Sequence, residues 1–303
     1  MIKRFSVRKI LITSLLLVVA LILYSFPEEL ETNINDVKYE SINIYLIDSN
    51  NYVAMTSIIS NNDSFDGKLK TMIEGLTIGS TNIPKGFSSV IPKDTRLLDY
   101  DLKDGLLKIN FSKEFLDVTK ENEERMIQSI IYSLTSLEDV DKIMIFVEGD
   151  RLDKLPNSSK RLDLYLDRSY GINKVIDINT FSGTQIVTVY YLGNNDSFVP
   201  ISYITNDDSE RIEIIVKNLK SNRLNSSNLS SHLDYQVELM NYERIDDDFF
   251  INFNDSLLNS VYDGVLKEEV KYALSYSIFD SYDVENVVFQ INSNKIDELR
   301  LAK

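Results

Sequence analysis

Cysteine is absent from the 303 residues, and histidine occurs once, at His232. Without cysteine the chain has no disulfides, no thiolate nucleophile, no cysteine-ligated zinc and no thioether-linked lipid. The glycine-rich nucleotide loops, the Gly-x-Ser-x-Gly elbow and the His-Glu-x-x-His zinc motif are missing as well. We therefore predict no catalytic, cofactor-binding or metal-ligating residue, and no enzymatic activity.

Positive charge is scarce. The chain has 32 basic and 47 acidic residues, which gives a net charge of −15. Such a surface repels a phosphate backbone, so nucleic acid is excluded as a partner. The hydrophobic content of 43% is sufficient for one large core or two ordinary ones.

Residues 1–27 have the pattern of a membrane-targeting segment. Four cations precede an uncharged apolar run from Ile10 to Phe26, and Pro27 follows. An apolar helix of this length is about 25 Å long, at the short end of what spans a bilayer. No small-residue cleavage site follows the run, so an uncleaved signal anchor is favoured over a cleaved signal peptide.

The same cations predict the orientation of the chain in the cell membrane. Basic residues before a single span stay in the cytoplasm, which makes the rest of this single-pass chain extracytoplasmic. The exported part then carries 28 basic and 47 acidic residues, a net charge of −19. We expect a strongly acidic ectodomain.

The ectodomain contains one unit twice. The run "DVDKIMIFVEGDRLDKL" at Asp139–Leu155 recurs 144 positions later as "DVENVVFQINSNKIDEL" at Asp283–Leu299. The run from Ile42 likewise matches the run from Val187, at an offset of 145. Each unit also carries an apolar quartet with the spacing of one helix face, namely Leu69, Met72, Ile73 and Leu76, then Ile212, Ile215, Val216 and Leu219.

The predicted fold class is α+β, in two tandem repeats. Each repeat reads strand, helix, hairpin, helix, strand, a small sheet with two helices packed on one face. The hairpin turn is Asp104-Gly105 in the first repeat and Asp246–Asp248, without glycine, in the second. The predicted domains cover residues 40–155 and 184–299, and the linker of residues 156–183 is expected to pair in part with a domain edge.

Several polar and aromatic groups are weak candidates for a functional site. His232 aligns with the aliphatic Val90 of the first repeat, which favours an incidental role. The acidic turn lacks the glycine and oxygen spacing of a hard-cation loop, and the Asx-rich runs after the first strand of each repeat are typical of turns that bond to their own backbone. Aromatic residues on strands are core by default, although three were candidates for an aromatic binding face: Tyr45, Tyr190 and Tyr191.

The first repeat resembles the GerMN domain of sporulation and spore-germination proteins, in the GerM-like arrangement of two such domains in tandem. The resemblance rests on "GFSSVIPKDTRLL", then "DLKDGLLKINFSKEF", then "IIYSLTSLEDVDKIMIFVEG". The second repeat keeps the apolar skeleton but lacks counterparts of Gly86, Pro92, Gly105 and Gly149, so any family-specific surface is expected on the first.

The resemblance implies a non-enzymatic role in sporulation or germination, as a scaffold or interaction module in an assembly of envelope or sporulation membrane proteins. Many such proteins are lipoproteins, whereas here a helical anchor replaces the lipid. An alternative is an accessory protein that binds or helps to process spore peptidoglycan. A receptor for a small germinant molecule, which needs an enclosed pocket, is a third hypothesis.

Overall fold

The computed structural model describes residues 40–221 and 228–301 of the chain. The predicted anchor at residues 1–27 lies outside them. No helix within the two described ranges combines the length and the apolar character needed to cross a bilayer.

The first repeat opens with a β-hairpin and contains two helices. Its elements in chain order are β1 (Glu40–Asp48), β2 (Val53–Ser60), α1 (Phe65–Leu76), β3 (Phe87–Ser88), β4 (Leu97–Lys103), β5 (Leu106–Phe111), α2 (Glu123–Leu134), β6 (Lys142–Val147) and β7 (Asp150–Arg151). Helix α1 begins after Ser64, whose hydroxyl accepts a hydrogen bond from the Gly67 amide at 3.1 Å. The predicted apolar face of α1 is buried.

The second repeat follows a similar order, preceded by a short strand from the linker; among its described residues no strand corresponds to β3, and a short hairpin, β13–β14, stands before its second helix. Its elements are β8 (Val175–Asp177), β9 (Gln185–Leu192), β10 (Phe198–Thr205), α3 (Arg211–Leu219), β11 (Leu239–Ile245), β12 (Asp248–Phe253), β13 (Val261–Tyr262), β14 (Val265–Leu266), α4 (Glu268–Ser281), β15 (Asn286–Ile291) and β16 (Asn294–Arg300). The apolar quartet of α3 is buried, as in α1.

The two repeats share a central sheet. Its strands run β3-β1-β2-β10-β9, with β8 also paired to β10. The repeats meet where β2 and β10 pair antiparallel, at Met55 and Phe198. Beside this junction the linker residue Asn173 donates from Nδ2 to the carbonyls of Val53 and Pro200, both at 2.8 Å. The Asn173 side chain therefore adds hydrogen bonds between β2 and β10, which pair directly at a single position.

Each repeat also has a sheet of its own. In the first, the strand order is β4-β5-β6-β7, and β5 and β6 are parallel because α2 crosses between them. In the second, the order is β11-β12-β15-β16, with α4 making the equivalent crossover. The apolar side chains of both repeats belong to one continuous core.

The helices after β5 and β12 protect the edges of the central sheet. The amide of Tyr45 in β1 donates to the Ser133 hydroxyl of α2 at 2.9 Å, and the amide of Tyr190 in β9 donates to the Ser277 hydroxyl of α4 at 2.9 Å. These serines satisfy strand amides that have no strand partner, and so block pairing of these edges with another chain.

The α+β class with tandem repeats is confirmed, but the predicted element order of each repeat was incomplete. A second strand, β2 or β10, follows the first, and a partner strand, β7 or β16, follows the last. As a result, each repeat contributes to two sheets instead of one small sheet. The second strands were missed because their sequences, "VAMTSIIS" and "FVPISYIT", do not alternate regularly between apolar and polar residues.

The predicted linker is ordered against the first repeat. Leu166 exchanges two backbone hydrogen bonds with Ile143 of β6, at 2.8 and 2.9 Å. Further on, residues 175–177 add the parallel strand β8 to β10. The segment between the repeats thus pairs both with the sheet of the first repeat and with the central sheet.

Candidate functional site

A pair of tyrosines marks the junction of the two repeats. Tyr45 on β1 and Tyr190 on β9 are equivalent positions, and their hydroxyl oxygens lie 2.9 Å apart. Each ring packs on a tyrosine of the helix that covers its strand, Tyr45 on Tyr132 at 5.4 Å and Tyr190 on Tyr276 at 5.7 Å between centroids. The duplication has therefore placed two copies of one aromatic pair against each other.

The three tyrosines considered for an aromatic binding face are core residues, as the default interpretation of strand aromatics predicts. Tyr45, Tyr190 and Tyr191 are each 1% exposed. The Tyr191 hydroxyl is 2.9 Å from the hydroxyl of Tyr203, on the neighbouring strand β10. Because consecutive residues of β1 and β9 are buried around these positions, both faces of the strands are covered there and the tyrosines belong to the core.

Arg168 of the linker connects the repeats across this junction. Its Nη1 lies 2.7 Å from Oδ1 of Asp280 at the end of α4. Its Nε donates to the Thr135 hydroxyl at 3.1 Å, and its Nη2 donates to the Tyr132 carbonyl at 3.4 Å, both at the end of α2. The Asp280 side chain is 1% exposed and that of Arg168 is 28% exposed, so this is a largely buried ion pair.

The electrostatics keep these groups in one protonation state. Burial raises the pKa of the Tyr45 and Tyr190 hydroxyls, and Asp280 raises it further. Burial by itself lowers the pKa of Arg168, but Tyr45, Tyr190 and Asp280 outweigh it and hold that pKa well above its ordinary value. The hydroxyls stay protonated and the guanidinium stays charged near neutral pH, so the cluster is suited to structure and not to proton transfer.

An open cleft of about 730 Å³ lies above this cluster, and both repeats line it. Tyr276, Phe279 and Tyr282 contribute an aromatic wall. Five carboxylate side chains surround the cleft, namely Glu138, Asp139, Asp141, Asp167 and Asp283. The basic group that lines it is Arg168, which is already paired with Asp280. The described residues that line the cleft therefore carry an excess of negative charge beside aromatic rings.

The polar residues considered from the sequence lie apart from this cleft. His232 is exposed, with Nε2 3.4 Å from the Ser230 hydroxyl. Asp246 and Asp247 form the turn between β11 and β12, where the Asp247 carbonyl accepts from the amides of Glu285 and Asn286. In residues 40–221 and 228–301 no group of three or more histidine, aspartate or glutamate side chains is placed to hold a metal ion.

The functional residues that sequence reasoning missed are those of the junction. Arg168 lay in a segment interpreted as linker, where a lone arginine carries no signal. Asp280 replaces Ser136 of the first repeat, and this asymmetry between aligned positions was the one available indication. The cleft itself is formed by the ends of α2 and α4, which are distant in sequence.

Comparison with known proteins finds similarity to sporulation proteins. Residues 43–153 match the family model described as "Germane: Sporulation and spore germination". Spore germination protein GerM of Bacillus subtilis (strain 168) is 29% identical over 259 residues, which cover 82% of this chain and 70% of GerM. The structure of the tandem GerMN domains of the sporulation protein GerM from Bacillus subtilis superposes with a TM-score of 0.74 and 26% identity, covering 84% of this chain and 92% of that chain. The chain is GerM-like, with two GerMN domains in tandem.

The glycines of the GerMN motif lie at turns with positive φ. Asp104 and Gly105 have φ of 50° and 74°, and the Gly105 carbonyl accepts from the amides of Asp141 and Lys142. A Cβ at Gly105 would overlap the Asp141 carboxylate, so both the backbone conformation and the close approach favour glycine here. Gly86 also has positive φ, 90°, and a Cβ there would meet the Asn195 amide of the second domain.

Proposed function

We propose that this GerM-like protein is a membrane-anchored, extracytoplasmic, non-enzymatic protein of sporulation or germination. In this proposal it acts as a scaffold or interaction module in an assembly of envelope proteins. Its similarity to GerM supports a role in sporulation or germination. The predicted anchor at residues 1–27 supports the extracytoplasmic location on the membrane.

The observation that carries the scaffold role is a pair of equivalent edge strands. β4 and β11 end the strand order of the two outer sheets. Each has a register shift at its second residue, Leu98 in β4 and Met240 in β11. These two apolar side chains are 42% and 56% exposed. A bulge discourages continuous strand pairing, so the exposed side chain offers contact without open-ended aggregation.

The absence of cysteine makes a direct test possible. Single-cysteine variants Leu98→Cys and Met240→Cys are expressed in sporulating cells of the source organism and treated with a thiol-to-amine cross-linker. Leu116→Cys is the matched control, because Leu116 is 40% exposed but lies outside the edge strands. We expect discrete adducts with membrane proteins from Leu98→Cys or Met240→Cys and none from the control. Equal labelling at all three sites, or no adduct at any, would contradict the proposal.

The same protein also tests the alternative role at the cell wall. Purified peptidoglycan is incubated with the full-length chain in detergent micelles and then sedimented. Co-sedimentation without adducts at the edge strands would favour a wall-binding module. Release of soluble muropeptides would contradict the non-enzymatic assignment.

A further inference from the structure

We propose that the cleft between the two domains binds a lysine- or arginine-rich segment of a protein partner. This inference rests on the proposed role as an interaction protein and names the chemistry of one partner. The occupant is a short extended segment whose ammonium or guanidinium groups lie among the cleft carboxylates. The methylene stems of its side chains lie along the aromatic wall.

Charge complementarity is the first argument. Among the described residues that line the cleft, five are carboxylates and one, Arg168, is basic and already has Asp280 as its counter-ion. All five except Asp167 are exposed, so a ligand can reach four of them without unfolding the domains. An anionic partner would be repelled, and a neutral one would leave the carboxylates uncompensated.

The aromatic wall is the second argument. Tyr276, Phe279 and Tyr282 line the cleft and are each partly exposed. Aromatic faces attract lysine and arginine cations and also cover their apolar stems. An inorganic cation would use the carboxylates alone, whereas a basic side chain contacts both kinds of group.

The size and composition of the cleft agree with this occupant. About 730 Å³ is within the range of sites that hold a small ligand or a few side chains. Both domains line it, with Asp139 from the first and Asp283 from the second. A bound segment would therefore bridge the domains, and its recognition requires the tandem arrangement.

The test uses full-length protein in neutral detergent micelles and a fluorescein-labelled peptide of alternating lysine and glycine. The cleft variant is Asp139→Asn with Asp283→Asn. Asp139 has φ of 63°, a conformation that asparagine tolerates. The control is Asp150→Asn with Asp263→Asn, which removes the same charge from exposed positions outside the cleft, one of them also with positive φ.

We expect binding of the lysine peptide that weakens about 5- to 10-fold in the cleft variant and less than about 2-fold in the control, since each exposed charge pair contributes modestly. A peptide with glutamate in place of lysine should not bind. No binding, or equal weakening in both variants, would overturn the proposal, because attraction would then reflect the net charge alone. Binding of free spermidine without binding of the peptide would overturn the assignment to a protein segment.

The result of the peptide-binding test can be distinguished from the result of the cross-linking test of the scaffold role. If the edge-strand cysteines cross-link partners equally well in the cleft variant and the peptide does not bind, the cleft inference fails and the scaffold role stands. If the cysteines find no partner but the peptide binds at the cleft, the scaffold role in its stated form fails and the cleft remains a site for cations.

Discussion

Replacing Arg168 by methionine is the most informative perturbation, because this side chain joins the two domains. The change leaves the Asp280 carboxylate, 1% exposed, without its counter-ion. Removing one partner of a buried ion pair costs about 3–5 kcal/mol. The Arg168 side chain is 28% exposed, which lowers that figure, while the lost hydrogen bonds to Thr135 and to the Tyr132 carbonyl raise it. We expect a loss of about 3 kcal/mol in the free energy of unfolding.

The reciprocal variant should be milder. Asp280→Asn leaves the Arg168 guanidinium, which retains contact with water, so we expect a loss of about 1.5 kcal/mol. The double variant should lose less than the sum of the two single changes, because the second removes a charge that the first left unpaired. The measurement is urea unfolding of residues 39–303, which form one compact unit. A loss below about 1 kcal/mol for Arg168→Met, or strict additivity, would refute this reasoning.

Two further perturbations test packing and electrostatics. Gly75→Ala gains about 1 kcal/mol in helix propensity, but the added Cβ would lie 2.8 Å from Cδ1 of Ile44 and 3.0 Å from Cδ1 of Ile58. Because this crowding outweighs the gain, thermal denaturation should show a net destabilisation of about 1–2 kcal/mol. A higher melting temperature would contradict this. The Lys217 ammonium, with help from Ser209, lowers the pKa of Asp207 to about 2. The ionised Asp207 therefore stabilises the fold fully above the pKa that aspartate has in the unfolded chain, and this stabilisation is lost as pH falls towards 2. Asp207→Asn should make the free energy of unfolding, measured with urea, depend less on pH between pH 4 and pH 2, and an unchanged slope would contradict the prediction.

Much of the fold could be predicted because the two copies of the repeat can be compared with each other. An apolar position that recurs at a constant offset is a core position in both copies, and the quartets beginning at Leu69 and Ile212 are both buried in the structure. The hairpin at Asp104-Gly105 was also correct, since its turn chemistry is local. These features depend on neighbours within a few residues, which a single sequence records.

The missing features depend on contacts between distant segments. Nothing local indicates that β2 pairs with β10, because the pairing joins two repeats through Met55 and Phe198, 143 positions apart. The ion pair of Arg168 and Asp280 likewise spans 112 positions. The cleft follows from that arrangement, so it could not be predicted before the repeats were placed side by side.

At its last hairpin the second domain differs from the first in its residues and not in its backbone conformation. The turn between β6 and β7 uses Glu148 and Gly149, with φ of 51° and 87°, and the turn between β15 and β16 uses Asn292 and Ser293, with φ of 48° and 66°. Asn292, a residue type that tolerates this conformation, stands in place of Glu148, and Ser293 takes the glycine position with the same sign of φ. The family model matches only residues 43–153, whereas the structural similarity to the tandem domains of GerM covers 84% of the chain.

The shared sheet gives a physical reason why both domains are retained. β2 and β10 pair with each other at the centre of the sheet, and the serines of α2 and α4 satisfy its outer edges. Without the second domain β2 would lose its pairing with β10 and become an edge strand, whereas β8 still covers part of the β10 edge. The second domain can therefore lose motif residues that the first keeps, provided that it preserves the strand that completes the sheet and the helix end that forms half of the cleft.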